Sequence, residues 1–181
     1  MASQETQKPA ALDAAAKKEL IEKAYTLAYK YEQSPGNCPQ CVLAAVRETM
    51  GGVDEAVFKA SHALAGGGVL STEGTCGALA GALLALSNRY GRELPNFHKG
   101  RYLHNYQIAK IVFDKFVAEF GSPICARVQA KLMGRAFDMW DAADFKAFLE
   151  AGGHDDKCPL VAAKAAAWAV EVLLERGETP A

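Results

Sequence analysis

The sequence predicts an all-α fold, a compact bundle of about eight helices, and three observations carry that expectation. About a fifth of the residues are Ala against few β-branched ones, a bias toward helix. Apolar residues recur at three- and four-residue steps rather than in alternation. Gly and Pro fall between these stretches, where helices stop and start. With 181 residues, 50% hydrophobic and 23% charged, the chain can bury one core. We assign a flexible N-terminal arm to residues 1–12 and a single domain to residues 13–178.

From Asp13 the pattern is helical, with Leu20, Ile21, Ala24, Leu27, Ala28 and Tyr31 on one face until Ser34-Pro35-Gly36-Asn37 stops it. A second helix opens at Cys38-Pro39 and closes at Gly51-Gly52. Asp54 caps a third, running to about Ala65. Residues Gly66 to Gly74 form a Gly-rich loop, long for a helical domain and therefore of functional interest. Thr75 caps a fourth helix through Tyr90, closed by Gly91. A fifth runs from near Asn96 to Phe120, closed by Gly121. Ser122-Pro123 opens a sixth that ends at Gly134. Asp141 caps a short seventh that stops at Gly152-Gly153, and the last runs from Cys158-Pro159 to near Gly177.

Charge and hydropathy exclude several classes. Lys plus Arg number 20 and Asp plus Glu 21, a net charge of -1 that gives no electrostatic footprint for nucleic acid or an anionic membrane. No apolar run approaches the roughly 20 residues that span a bilayer. The start MASQETQKPA lacks the charged and apolar stretches of a secretory signal, so a cytoplasmic location is expected. The apolar surplus and small-residue helix faces suit a homodimer.

Five cysteines stand out: Cys38, Cys41, Cys76, Cys125 and Cys158. An odd count in a reducing compartment argues against structural disulfides and leaves metal ligation, redox chemistry or plain burial. Cys38 and Cys158 each precede a proline as cap residues, Cys76 follows Thr75, and Cys125 lies two residues after Pro123. Four cysteines thus stand at four helix N-termini, where unpaired N–H groups and the positive dipole end favour thiolates. One or two would pass as small core residues. Four are better explained as ligands of one anionic cluster.

Cys38-Pro39-Gln40-Cys41 is a C-x-x-C pair whose sulfurs can face one metal or form a disulfide. No βαβ pattern supports a thioredoxin-like site, and Val42 stands where a haem attachment requires His. The helix after Cys76 reads Cys76-Gly77-Ala78-Leu79-Ala80-Gly81-Ala82. Gly77 and Gly81, one turn apart, weaken the helix by roughly 1 kcal/mol each, which tight helix packing or a cofactor wall would offset. We count Gly77 among the cofactor-binding candidates. The Gly-rich loop lacks the Gly-Lys-Ser/Thr of a phosphate loop and follows no strand, so its N–H groups are free to donate to sulfur instead.

The ordered set Cys38, CGALAG at 76–81, Cys125 and Cys158 resembles the C_GCAxxG_C_C redox-active family, with four cysteines and a CGAxxG element. Asn37-Cys38, Tyr90-Gly91, Phe120-Gly121-Ser122 and Cys158-Pro159 fit as well, and the resemblance spans roughly residues 20–178. Such proteins occur mainly in anaerobic bacteria and archaea and are similar to the iron–sulfur-binding part of split-Soret cytochromes. The resemblance implies an iron–sulfur cluster held by Cys38, Cys76, Cys125 and Cys158, an electron-transfer role and a redox partner protein. Two-iron and four-iron clusters both suit four thiolates. The chain departs in lacking a c-type haem segment and in carrying Cys41 where a small residue is usual. Cys41 is expected near the cluster, either as an extra or exchangeable ligand, which would permit catalysis, or as a free thiol beside it.

Two alternatives stand beside this reading: a metal-free thiol–disulfide protein using Cys38 and Cys41, and a structural zinc site. His154, four residues before Cys158, reads as an exposed loop residue in preference to an alternative ligand or a proton partner. His62 reads as a packed helix side chain. His98, Lys99, Arg101 and His104 make a basic, solvated start to the fifth helix, while Asp141, Asp144, Asp155 and Asp156 read as caps and loop. No paired catalytic carboxylates and no Ser-His-Asp order appear.

Overall fold

The computed structural model describes residues 12–34 and 36–180. Apart from Leu12, which packs on the core, the expected arm lies outside the described residues. Eight α-helices follow one another: α1 Ala14–Gln33, α2 Cys38–Met50, α3 Glu55–Ala60, α4 Gly77–Tyr90, α5 Leu103–Phe120, α6 Cys125–Met133, α7 Ala142–Glu150 and α8 Cys158–Glu175. Among the described residues there is no strand, only an antiparallel bridge between Thr75 and Ile124. The all-α expectation is met.

α8 forms the centre because it is apolar nearly all round, with Val161, Ala162, Ala165, Ala166, Ala169, Val170 and Leu173 buried. α1 lies along it most extensively, and α2, α4 and α5 also pack on it. Its Ala side chains let these neighbours come close. Phe116 and Phe120 of α5 pack on each other and edge-on against Trp168, filling the α5–α8 seam. No described helix is long and apolar enough to cross a membrane.

The Gly77 and Gly81 face is used within the chain. A Cβ on Gly81 would stand 2.6 Å from the Pro39 carbonyl oxygen and 2.9 Å from its Cα, so α2 and α4 touch backbone to side. A Cβ on Gly77 would meet the Cys38 Sγ at 2.6 Å. Helix packing and a wall against sulfur are both present here.

Several helix ends differ from the sequence expectation, each for a local reason. α3 stops at Ala60, where the Ser61 hydroxyl donates to the Phe58 carbonyl and the chain tightens into a 3-10 segment, His62–Gly67. Thr75 is not the cap of α4; it is drawn into the bridge with Ile124, and Cys76 takes the cap position. α5 starts at Leu103, not Asn96: Leu94–Asn96 makes one 3-10 turn, and Gly100 and Tyr102 both adopt positive φ. The Arg92 guanidinium holds that segment by donating to the carbonyls of Phe97 and Gly100. α6 begins at Cys125, because the Ser122 hydroxyl accepts from the Ile124 N–H and extends the turn. Asp141 does cap α7, accepting from the Asp144 N–H at 2.8 Å. A π-turn, Gly153–Lys157, feeds directly into α8.

Candidate functional site

Cys38, Cys76, Cys125 and Cys158 all line one cavity of about 480 Å³. Each comes from a different helix start. Cys38, Cys125 and Cys158 are the first residues of α2, α6 and α8, which puts Cys38 and Cys158 one position inside the expected caps, and Cys76 is the N-cap of α4. Pro39 and Pro159 follow two of them, where a missing N–H costs nothing and the fixed φ suits the first turn.

The Gly-rich loop sets the spacing between Cys76 and Cys125. Gly66, Gly67 and Gly68 turn with positive φ, and Val69, Leu70 and Thr72 are held there too. Left-handed backbone at three non-glycine residues is a costly arrangement that the surroundings must enforce. Three backbone bonds do so: Cys76 N–H to the Pro123 carbonyl, Cys125 N–H to that of Gly74, and Ala126 N–H to that of Thr72. The thiols of Cys76 and Cys125 are hydrogen-bonded to each other as a result. Backbone N–H groups also reach sulfur, from Gly66 to Cys38 and from Ala78 and Leu79 to Cys76. The loop donates to sulfur, as its composition suggests.

These donors do not make the thiols acidic. Burial pushes the Cys38 thiol well above its usual range, and the charges of Glu32, Cys76 and Cys158 add to that. The hydrogen bond that the Cys76 thiol donates to Cys125, then burial, does the same to Cys76. Burial, then Glu32 and Cys76, raises Cys158, and no backbone donor to its sulfur stands among the described residues. No Lys or Arg lines the cavity among the described residues. A set of thiolates here therefore requires a bound cation to displace the protons.

Cys41 is placed elsewhere. It is buried but is not among the residues lining the cavity. Its thiol donates to the Glu32 carboxylate, and burial, followed by the Glu32 charge, pushes its pKa up. A Cβ on Gly36 would stand 2.6 Å from its sulfur, so it fits a space that only Gly leaves open. The C-x-x-C pair is split, one sulfur on the cavity wall and one against α1.

Glu32 is the residue that sequence reasoning missed. It lines the cavity at 1% exposure and its Oε2 has no hydrogen-bond partner among the described residues. Burial raises its pKa to about 7, against the Cys41 hydrogen bond, which lowers it. The signal was available: Ala24, Ala28 and Glu32 fall four residues apart on the buried stripe of α1, where a carboxylate is out of place. His154 also lines the cavity rather than standing exposed, with Nδ1 3.2 Å from the Glu32 carbonyl oxygen and 3.7 Å from Oε1. Burial lowers its pKa. His62, expected inside a helix, lies exposed in the 3-10 segment, and His98 and His104 are exposed as expected.

No three His, Cys, Asp or Glu side chains among the described residues gather closely enough to hold a single metal ion. A zinc ion needs its ligands around one point, whereas an iron–sulfur cluster shares its cysteines among two or four irons and so takes ligands that stand further apart.

The family model described as "Putative redox-active protein (C_GCAxxG_C_C)" matches residues 36–172, which include all five cysteines. The chain belongs to this family. Where the family title reads Gly-Cys-Ala, this chain reads Cys76-Gly77-Ala78, with the first two residues exchanged before the shared final Gly81. No curated protein and no solved structure matches the chain.

Proposed function

We propose that this redox-active family member carries an iron–sulfur cluster on Cys38, Cys76, Cys125 and Cys158 and passes electrons to and from a protein partner. The observation that carries the reading is the meeting of four cysteines, each from a separate helix start, on one cavity. Helix N-termini oppose the negative charge of a thiolate-ligated cluster, and the N–H groups of Gly66, Ala78 and Leu79 donate to its sulfurs. When bound, the cluster supplies one-electron redox chemistry. The protein's own part is to hold four thiolates in a desolvated cavity without a neighbouring cation, an environment that disfavours added negative charge and so lowers the reduction potential. Cys41, facing Glu32 and off the wall, stays a thiol beside the site.

The metal-free thiol–disulfide alternative is disfavoured by the same geometry. A reactive thiol needs a lowered pKa and access, but Cys41 is buried, raised in pKa and turned from Cys38's cavity. Visible absorption together with iron and acid-labile sulfide analysis of protein purified without oxygen tests the proposal. A brown protein with matched iron and sulfide is expected; a colourless protein with five titratable thiols that takes up neither on reconstitution would contradict it.

A further inference from the structure

The cavity is larger and more apolar than a ring of cysteines requires. Beyond the sulfurs, α6 and α7 and the segment between them supply Leu132, Met133, Met139, Phe145, Phe148 and Leu149 to its wall. The α7 side chains among these carry no ligating atom, so a cluster has no use for them. A volume of about 480 Å³ lies within the ~300–1,000 Å³ typical of small-molecule sites. The wall also reaches solvent, because Leu70, Phe145 and Leu149 are 37–43% exposed. Large apolar side chains exposed together at the edge of a cavity mark an entry for an apolar guest.

Two side-chain acceptors on this wall, the Glu32 Oε2 and the Asn37 Oδ1, have no partner among the described residues, and Glu32 is the more deeply buried of the two residues. The Glu32 carboxylate is almost wholly buried, Cys41 donates to it, and yet its Oε2 accepts nothing from the described residues. His154 Nδ1 is directed to the Glu32 carbonyl and is 3.7 Å from Oε1, too far to serve. Gln129, the other buried polar side chain on the wall, is already used: its Oε1 accepts from the Phe137 N–H and its Nε2 donates to the Met139 sulfur. An unpaired buried acceptor of this kind is rare enough to call for an explanation.

We infer that the apolar side of this cavity, beside the proposed cluster, binds a small neutral or cationic molecule with an apolar body and one N–H or O–H donor, which the free oxygen of Glu32 accepts. Anionic ligands are excluded by charge: the wall bears a carboxyl group and four thiols and no Lys or Arg. Phosphates, nucleotides and carboxylic acids therefore do not belong to the class. Amines and alcohols with a ring or a short hydrocarbon chain do. The inference deepens the proposed electron-transfer site by giving it a ligand within reach of the sulfurs, and it rests on the cavity and Glu32 whether or not iron is bound.

The test is ligand-observed NMR titration of the full chain, purified without oxygen and assayed for iron and sulfide, at about pH 8 with benzylamine, toluene and benzoate as probes. Benzylamine should bind saturably and roughly tenfold more tightly than toluene, the worth of a hydrogen bond to a charged group, and benzoate should not compete. Glu32→Leu should erase the advantage of benzylamine over toluene while toluene still binds. Leu149→Trp, a change at an exposed position, should weaken both by blocking the mouth, which keeps the test valid if Glu32→Leu does not fold. Iron-replete protein that binds none of the probes, equal competition by benzoate, or unchanged benzylamine binding in Glu32→Leu would overturn the inference. Benzylamine binding in protein that never takes up iron would support it while removing the cluster reading.

Discussion

The two sides of the cavity present cysteine in different ways. On the α4–α6 side, Cys76 and Cys125 are tied by three backbone hydrogen bonds, hydrogen-bonded to each other and, for Cys76, met by two N–H donors. On the α1–α8 side, Cys158 follows a π-turn, has no backbone donor to its sulfur among the described residues and faces the charge of Glu32. A cysteine at a helix start is thus not a uniform device. One side surrounds its sulfurs with hydrogen-bond partners, and the other leaves a cysteine beside the charge of a titratable carboxyl group.

The largest expected effect separates the two sides. Cys76→Ser should remove nearly all bound iron and sulfide, because a hydroxyl is a poor substitute for a soft thiolate in the most organised corner. Cys158→Ser should retain more iron, and Cys41→Ser should leave the content near that of the wild type. Metal analysis of the three variants in parallel checks the order. Loss on Cys41→Ser alone would mean that the ligand set is misassigned.

Next in size is the pH dependence of the metal-free protein on the α1–α8 side. The folded-state pKa of Glu32, about 7, lies above its ordinary 4.5, so folding favours the protonated acid. That contribution is fully present below about 4.5 and is lost as pH rises through about 7, a change of roughly 3 kcal/mol at ~1.4 kcal/mol per unit. Urea unfolding of wild type and Glu32→Gln at several pH values should show a falling slope in the first and a flatter one in the second. Parallel slopes would contradict the assignment.

Two glycines sharpen the contrast with smaller effects. A Cβ at Gly67 would meet backbone of Thr72 at 2.9 Å, at a φ of 78°. Nothing there can yield, so Gly67→Ala should cost about 1–3 kcal/mol in unfolding measurements and loosen the Cys76–Cys125 side. A Cβ at Gly153 would meet the buried Phe148 ring, a side chain rather than backbone, and at an ordinary φ, so Gly153→Ala should cost less than Gly67→Ala. The smallest effect is that of His154→Ala, about 1 kcal/mol for one lost hydrogen bond to the Glu32 carbonyl. Equal costs for the two glycine variants would mean that the loop side is no more rigid than the π-turn side.

Much of this was legible in the chain. Helical periodicity and Gly/Pro punctuation gave the eight helices, and Pro39 and Pro159 beside Cys38 and Cys158, with Pro123 two residues before Cys125, pointed to helix starts. What escaped was tertiary. Thr75 has the chemistry of a cap, but the bridge to Ile124 claims it. Cys41 has the spacing of a ligand partner, yet one turn of α2 faces it to α1 rather than to the cavity, and Gly36 leaves room for its sulfur. Glu32 ends a helix rich in exposed charge, and only its register with Ala24 and Ala28 betrays its burial. His154 resembled a loop residue because a π-turn cannot be read from five polar and small residues.

The central claim, a cluster on four helix-start cysteines, is tested most directly by Mössbauer spectroscopy of protein produced without oxygen on isotopically enriched iron. The account predicts quadrupole doublets of sulfur-coordinated tetrahedral iron in the wild type and their loss in Cys76→Ser. A wild-type spectrum with no such iron, or one left unchanged by Cys76→Ser, would contradict it.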